Sequence, residues 1–333
     1  MTKSFKTFYL HFNSPLHIGN HRDTYEQSER FIRSDTLIAA VYATWAKMGK
    51  ADWIPSDGIP PFTISSAFPF WKNEGKIHHF FPRLKVTTKP KSEQSYNTIL
   101  AKALKKIQWL DQAYFEQLLA GTTSANFGEN GRDLQGNFLT STQLPEAGFM
   151  VKEEMQRVAI PRYQDGVPED AKPFYMERIR FINSGLFFLA TGKDLDKLEK
   201  ALSLLQYEGL GTDRNVGNGF FELKQAELHL QIPDDSPYST NLSLYCPVSE
   251  QVLQQQLDDH SRFEVIKRGG WITTPNYQTL EKNSIYMFSE GSVFLENKEI
   301  VGRGGIDLTP YHPMNHPVFR CGQSIFLPVK LDV

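Results

Sequence analysis

Gly209-Leu210-Gly211-Thr212-Asp213-Arg214-Asn215-Val216-Gly217-Asn218-Gly219 places four glycines in eleven residues. Upstream, Leu195, Leu198, Leu202 and Leu205 recur at helical spacing behind Asp194, a natural cap. Downstream, Phe221 and Leu223 open a strand. The loop therefore closes a helix and feeds a strand. That order excludes a dinucleotide fingerprint, in which the glycines open a helix after a strand. The lack of a following Lys-Ser/Thr excludes a P-loop. Glycines at 209, 211, 217 and 219 let the chain adopt positive φ and approach a neighbour closely, so that N–H groups can face a phosphate without an intervening Cβ. Arg214 adds a positive charge. The plain alternative is a tight turn with packing glycines.

Working outward, Phe8, Leu10 and Phe12 alternate with Thr7, Tyr9 and His11, the period of a half-buried strand. Ser34 is placed to cap a helix whose stripe is Leu37, Val41, Trp45 and Met48, stopped by Gly49. Residues 61–70 and 79–86 read as proline-interrupted rim strands. From Lys89 to about Tyr175 the pattern is less regular, with one amphipathic helix expected over 99–119. Order returns over 177–190, around the turn Asn183-Ser184-Gly185, which reads as a hairpin or a bent strand. The sum is β-α-β-β-α-β, the ferredoxin-like unit. The fold class expected is α+β: a first ferredoxin-like domain over 1–232 with an insertion at about 89–175, and a second over 238–333. Between them, 233–237 reads as a linker. In the second, a strand is expected at 242–245, a helix near 250–257, strands near 262–273 and 285–294, and a last strand marked by Ile325, Leu327, Val329 and Leu331.

The 333 residues suit two domains, and 40% hydrophobic with 13% aromatic content is ample for a packed core. No run approaches the roughly 18 apolar residues of a membrane helix, and the start lacks a signal-like apolar segment, so a cytoplasmic protein is expected. Two cysteines, Cys246 and Cys321, exclude a disulfide framework or a thiolate metal site. A net charge of −2 excludes a global field for nucleic acid. Charge is nevertheless uneven: residues 83–110 sum to +6 and 222–264 to −6. A polyanion site would have to be local.

The spacing Gly209-Leu-Gly211, five residues, Gly217-Asn-Gly219 resembles the glycine-rich loop of the RAMP superfamily of CRISPR proteins. Further motifs narrow the resemblance: Phe12-Asn-Ser-Pro-Leu-His17-Ile-Gly19, Ser34-Asp35-Thr36-Leu37, Ile64-Ser65-Ser66-Ala67-Phe68-Pro69-Phe70 with Phe80-Phe81-Pro82, and His316-Pro317-Val318-Phe319-Arg320 before Leu327-Pro328-Val329. Together they resemble the fourth subunit of type III-A (Csm) effector complexes. The resemblance runs nearly end to end but is vague over 89–148. It implies a non-catalytic subunit that holds the 5′ handle of the guide RNA (crRNA). It also implies partners: the large cyclase-like subunit and the backbone RAMP subunits. The segment Met155-Gln-Arg157-Val-Ala-Ile160-Pro-Arg162-Tyr163 resembles the thumb hairpin of such backbone subunits.

The candidate RNA contacts are accordingly His17, Ser34, Thr36, Ser65, Ser66, Arg157, Arg162, Tyr163, Gly209, Gly211, Arg214, Gly217 and Gly219. Phosphates, 2′-hydroxyls and flat faces are the usual handholds on single-stranded RNA. The helix start at Ser34 to Thr36 is a candidate anion site, with ordinary capping as its alternative. Charge over 152–180 balances, so a solvated hairpin is the alternative reading of that segment. Related RAMP endoribonucleases use a histidine as general acid or base, which makes His17 or His21 the proton shuttle of a competing, enzymatic reading. No cofactor or metal site is expected, because the pair His312 and His316 is broken by Pro313 and Pro317 and cannot share a helix face.

Overall fold

The structure, a computed structural model, describes residues 1–19, 26–86, 105–121, 133–158, 173–295 and 301–331. His21, Arg162, Tyr163 and residues 99–104 of the expected helix lie outside them.

The first strand is β1 (Thr2–Phe12), followed by α1 (Ser34–Lys47), β2 (Phe62–Ile64), β3 (Phe68–Asn73) and β4 (Lys76–Pro82). Next come β5 (Trp109–Asp111), α2 (Gln112–Leu119), β6 (Leu134–Gln135) and β7 (Phe138–Leu139). After them run β8 (Met150–Val158), β9 (Pro173–Phe181), β10 (Ser184–Gly192), α3 (Leu195–Glu208) and β11 (Phe221–Gln231). The main sheet has the order β11-β1-β10-β3-β4-β5-β7-β6, with β2 pairing the end of β10. Its pairings are antiparallel except that between β5 and β7. Because α1 follows β1 and α3 follows β10, the strand order β11-β1-β10-β3 places the last strand of the unit beside the first and brings both chain crossovers to one face.

That face is identified by Lys6, whose ammonium reaches Glu199 on α3, and by Phe8, stacked on Phe188 at 5.2 Å. Trp45 of α1 is fully buried there and its indole N–H donates to the Lys197 carbonyl at 3.0 Å, tying α1 to α3. Aromatic burial of this kind stabilises by roughly 2–3 kcal/mol per side chain. The opposite face is lined by Tyr9, Phe68, Phe81 and Phe187, and is covered by α2 through Phe115, stacked on Phe81 at 4.5 Å. Among the described residues of the expected 99–119 helix, 105–106 and 112–119 are helical, and Trp109–Asp111 between them is a strand. Asp111 sets the boundary, its carboxylate accepting from the Tyr114 N–H while Trp109–Asp111 pair as a strand.

On that second face the Tyr9 hydroxyl meets His79 Nε2 at 2.8 Å. Burial pushes the Tyr9 phenol up to about 12, so the hydroxyl stays protonated and can donate to a neutral His79 ring. Burial, and then the neighbouring His78, lowers the His79 pKa to about 4. A folded-state value below the unfolded one, near 6.5, means that this contribution is complete above about pH 6.5 and is lost as pH falls through about 4. His79→Gln, which can still accept from Tyr9, is expected to flatten the fall in unfolding midpoint between pH 6.5 and 4 in urea titrations. An unchanged profile would contradict this.

The Asn183-Ser184-Gly185 turn does not fold 177–190 into a hairpin. It hands the chain from one sheet to another: β9 pairs β8 as a separate two-stranded ribbon, whereas β10 enters the main sheet between β1 and β3. Asn183 takes φ +48° at the change of direction.

In the C-terminal part, β12 (Tyr238–Asn241) lies between β15 (Val293–Leu295) and β18 (Phe326–Pro328). Two small ribbons join it: β13 (Val265–Arg268) with β14 (Ile285–Phe288), and β16 (Ile306–Asp307) with β17 (Phe319–Arg320). The helix expected near 250–257 is α4 (Glu250–Gln256), capped by the Ser249 hydroxyl. The expected 242–245 strand is displaced to 238–241, and Leu242 and Leu244 instead turn inward, fully buried. Among the described residues of 238–331, three small sheets and one helix stand where a second β-α-β-β-α-β unit was expected. Gly291, at φ +77°, splits 285–294 into two strands. The 233–237 segment is pinned, not free: Ile232 is buried and the Ser236 hydroxyl donates to the Val329 carbonyl at 2.5 Å. Leu242, Val293 and Leu327 belong to the same apolar core as β1 and α1.

Candidate nucleic-acid interface

The glycine loop follows α3 and folds back on the segment after β1. The Leu210 N–H donates to the Gly219 carbonyl at 2.9 Å, closing the loop at its base. The Gly219 N–H then reaches the Pro15 carbonyl at 2.8 Å and the Thr212 N–H the His17 carbonyl at 3.0 Å, while the Phe220 N–H donates to the Ser14 hydroxyl at 2.8 Å. Gly211 and Gly219 have φ of +85° and +79°, and a Cβ at either would overlap the carbonyl of His17 or of Leu210. Gly209 is similarly closed in by the Asn218 carbonyl. Three of the four glycines thus serve close packing, Gly211 against the 13–18 segment and Gly209 and Gly219 within the loop itself.

Gly217 differs: at φ +92° it has open space where a Cβ would stand. It ends a 3-10 turn over Arg214–Val216, and Thr212, Asn215 and Val216 are exposed beside half-exposed Arg214. Behind this rim Asn218 is buried, and its side-chain Nδ2 has no acceptor among the described residues. An unmatched buried amide is costly, so its presence at the loop base is a site feature.

The β8–β9 ribbon stands against this loop. Leu16 and Ile179 exchange backbone hydrogen bonds at 2.8 and 2.7 Å, anchoring the ribbon base to the 13–18 segment. His17 is 1% exposed, and its Nδ1 lies 2.5 Å from the Glu177 carbonyl. A carbonyl oxygen only accepts, so Nδ1 carries the proton. The buried Glu177 carboxylate takes the Lys152 ammonium at 2.6 Å and the Ser28 N–H at 3.1 Å. Further along β8, Arg157 Nη2 lies 3.4 Å from Asp213 in the glycine loop. That half-exposed pair is worth little in stability but sets the ribbon beside the loop. Residues 14–18, the glycine loop with Arg214, and Arg157 therefore converge on one rim.

The three serine candidates are corrected by the structure. Ser34, Ser65 and Ser66 are 2%, 0% and 0% exposed. Arg33, not Ser34, is the cap residue of α1. The Ser34 N–H donates to the Ser66 hydroxyl at 2.9 Å, which in turn donates to Glu290. The Ser34 hydroxyl accepts from the Leu244 N–H at 3.0 Å, and the Ser65 hydroxyl from the Leu189 N–H at 2.9 Å. These hydroxyls are buried and engaged in bonds within the main sheet and between it, α1 and the C-terminal part. The helix start is closed to an anion as well: Asp35, fully buried, receives Arg268 at 2.9 and 3.0 Å and Arg320 at 2.6 Å, and Thr36 accepts from Arg268 at 3.1 Å. Burial would raise the Asp35 carboxyl, but the Arg320 and Arg268 guanidiniums outweigh it and hold it well below the usual carboxylate range.

The sequence reading missed Asp213, Glu177, Ser28 and Asn218. Asp213 and Asn218 sit in the quoted loop itself, but their roles depend on partners more than fifty residues away or on burial, and no local spacing signals either.

Among the described residues no helix is long and apolar enough to cross a membrane. The model of the RAMP superfamily matches residues 9–222, and that of the CRISPR Csm4 C-terminal domain matches 234–329. A protein of Streptococcus thermophilus called CRISPR system Cms protein Csm4 is 25% identical, with 99% of this chain and 100% of the relative covered. The fold is similar to a chain in a crystal structure of a Csm1-Csm4 cassette in complex with cA4, at TM-score 0.59 and 19% identity over 99% of this chain and 100% of that one. It is also similar to one in a Csm3-Csm4 subcomplex of the type III-A CRISPR-Cas interference complex, at TM-score 0.56 and 17% identity, covering 98% and 99%. With a glycine loop seated between helix and strand of the first unit and both family models matched in chain order, this chain belongs to the RAMP superfamily, in its Csm4 branch.

Proposed function

We propose that this chain is the non-catalytic subunit that holds the 5′ handle of the guide RNA in a type III-A (Csm) interference complex. In that role it links the backbone RAMP subunits to the large cyclase-like subunit in the cytoplasm. The observation that carries the reading is the convergence of the glycine loop, the 14–18 segment and the β8–β9 ribbon on one rim, with Arg157 and Arg214 beside it. The strand order β11-β1-β10-β3 supports a ferredoxin-like unit over 1–232, a common platform for single-stranded RNA, with 238–333 as a second structural unit. The names of the solved relatives, Csm1-Csm4 and Csm3-Csm4, support the two protein partners.

Within this reading Gly217 lets a phosphate approach the exposed loop edge, Arg214 and Arg157 supply charge, and Arg162 and Tyr163, outside the described residues, are the further thumb contacts. His17 acts through position: its ring holds the Glu177 carbonyl and its own carbonyl holds Thr212. A buried ring engaged in this way fits poorly with proton transfer to a 2′-hydroxyl, so the endoribonuclease reading is not favoured.

In a reconstituted complex, Arg214→Ala is expected to weaken guide-RNA retention about 10-fold, the scale of one charge-assisted contact of roughly 1.5 kcal/mol. Gly217→Asp is expected to weaken it further, by setting a carboxylate where phosphate would lie. Filter binding and nuclease protection of the handle measure both. Unchanged occupancy and protection in the two variants would overturn the RNA assignment.

A further inference from the structure

A groove of about 670 Å³ opens beside the ribbon base, between residues 27–33, 82–86 and 105–109 of the first unit and Glu264, Ser289 and Glu290 of the C-terminal part. Five cations, Arg30, Arg33, Arg83, Lys85 and Lys105, line it against three carboxylates. Those carboxylates already have partners. Glu290 takes Arg33 at 2.7 Å and the Ser66 hydroxyl, Glu264 takes Lys85, and Glu29 lies 3.7 Å from Arg33. Among the described residues no hydrogen bond or ion pair engages Arg30, which is half-exposed, or Lys105, which is exposed. Trp109, 4% exposed, forms part of the wall, while its indole N–H lies buried behind it. Burial lowers the pKa of the Arg83 guanidinium, which an approaching anion would stabilise. The groove thus combines an excess of positive charge with two cationic side chains, Arg30 and Lys105, that have no partner among the described residues.

Ser28 joins the groove to the candidate interface. It lies in the groove wall, its hydroxyl accepts from the Ile18 N–H at 3.0 Å, and its own N–H donates to Glu177 at the ribbon base. The groove therefore leads directly off the rim. Its aromatic face is not free for a base: Phe31 carries the Arg33 guanidinium at 4.7 Å and meets Trp109 edge-on at 5.4 Å. What remains is charge and N–H groups, which suit phosphates and not bases.

We propose that this groove binds the sugar-phosphate backbone of single-stranded RNA without regard to sequence, extending the path that starts at the glycine loop. The inference rests on the RNA-binding reading above. Continuity with the rim favours the RNA over an acidic protein segment.

The test is the assembled complex carrying Arg30→Glu with Lys105→Glu, beside the Arg214→Ala complex, with guide RNA as the probe. Thermal melting first checks that each variant is folded. The double variant is expected to bind guide RNA at least 10-fold more weakly, and the slope of log affinity against log salt is expected to become shallower by about 1.4, two phosphate contacts at about 0.7 each. Unchanged affinity and slope in the double variant, with weakening only in Arg214→Ala, would overturn the groove and leave the rim assignment standing. Unchanged RNA binding in both would overturn both. Loss of a protein subunit with RNA binding retained would assign the groove to protein and likewise overturn the proposal.

Discussion

Asp35→Ala is expected to lower the free energy of unfolding by about 3–5 kcal/mol, the scale found when one member of a buried ion network is removed. The carboxylate is fully buried in the first turn of α1, and its partners come from β13 (Arg268) and β17 (Arg320), both in the C-terminal part. Removing it leaves two guanidiniums without their counter-charge, with Lys282 nearby already lowered to about 8 by burial and by Arg320. The loss is therefore mainly one of uncompensated charge, not of contact area. Urea unfolding followed by tryptophan fluorescence measures it. Since Asp35 joins the two parts, the variant is also expected to broaden or split the transition. Glu222→Ala, which breaks an exposed pair with Lys224, is the control and is expected to change stability by less than about 1 kcal/mol. A midpoint for Asp35→Ala equal to that of the control would refute the account.

The same network makes stability depend on acid. The Asp35 carboxyl titrates below its unfolded value, near 3.9, so its contribution is complete above about pH 5 and is lost as pH falls through the folded value. The His79 contribution fades earlier, between about pH 6.5 and 4. Acid unfolding should accordingly begin with the ring on the sheet face and finish with the carboxylate between the two parts.

Gly219→Ala and Gly217→Ala are expected to behave oppositely, although they lie two residues apart at similar φ. At Gly219 a methyl would overlap the Leu210 carbonyl, which itself accepts no slack because the Leu210 N–H is held by Gly219. Strain at positive φ, about 1–2 kcal/mol, adds to a forced backbone shift of about 1–3 kcal/mol. The loop should leave Pro15 and His17, and handle protection should be lost with it. At Gly217 the space is open, so only the conformational cost of about 1–2 kcal/mol applies and protection should persist. Hydrogen exchange at the Gly219 and Thr212 amides distinguishes the cases. Protection of those amides retained in Gly219→Ala would contradict the packing role assigned to that glycine.

Much of the first unit was legible in order along the chain. Alternation around Phe8 and Leu10, the stripes Leu37-Val41-Trp45 and Leu198-Leu202-Leu205, and the loop between helix and strand all rest on local periodicity, and all appear in the structure. The same local cues failed where a partner distant in sequence decides. Ser34 looks like a cap by position, yet its hydroxyl goes to Leu244, 210 residues away. Ser65 and Ser66 looked like RNA contacts by motif, yet β10 and Glu290 take their hydroxyls. The 177–190 stretch, expected as a hairpin or a bent strand, is neither a hairpin nor one continuous strand, because β9 pairs β8 and β10 pairs β1.

What the sequence by itself determined, then, was the succession of elements and the place of the glycines, since side-chain period and backbone permissiveness act over a few residues. Only the tertiary structure decided which glycines pack and which one is open, which hydroxyls are buried, and that Arg157 meets the loop through Asp213. These depend on chain segments tens to hundreds of residues apart being brought within hydrogen-bonding distance, and no one-dimensional spacing encodes that proximity.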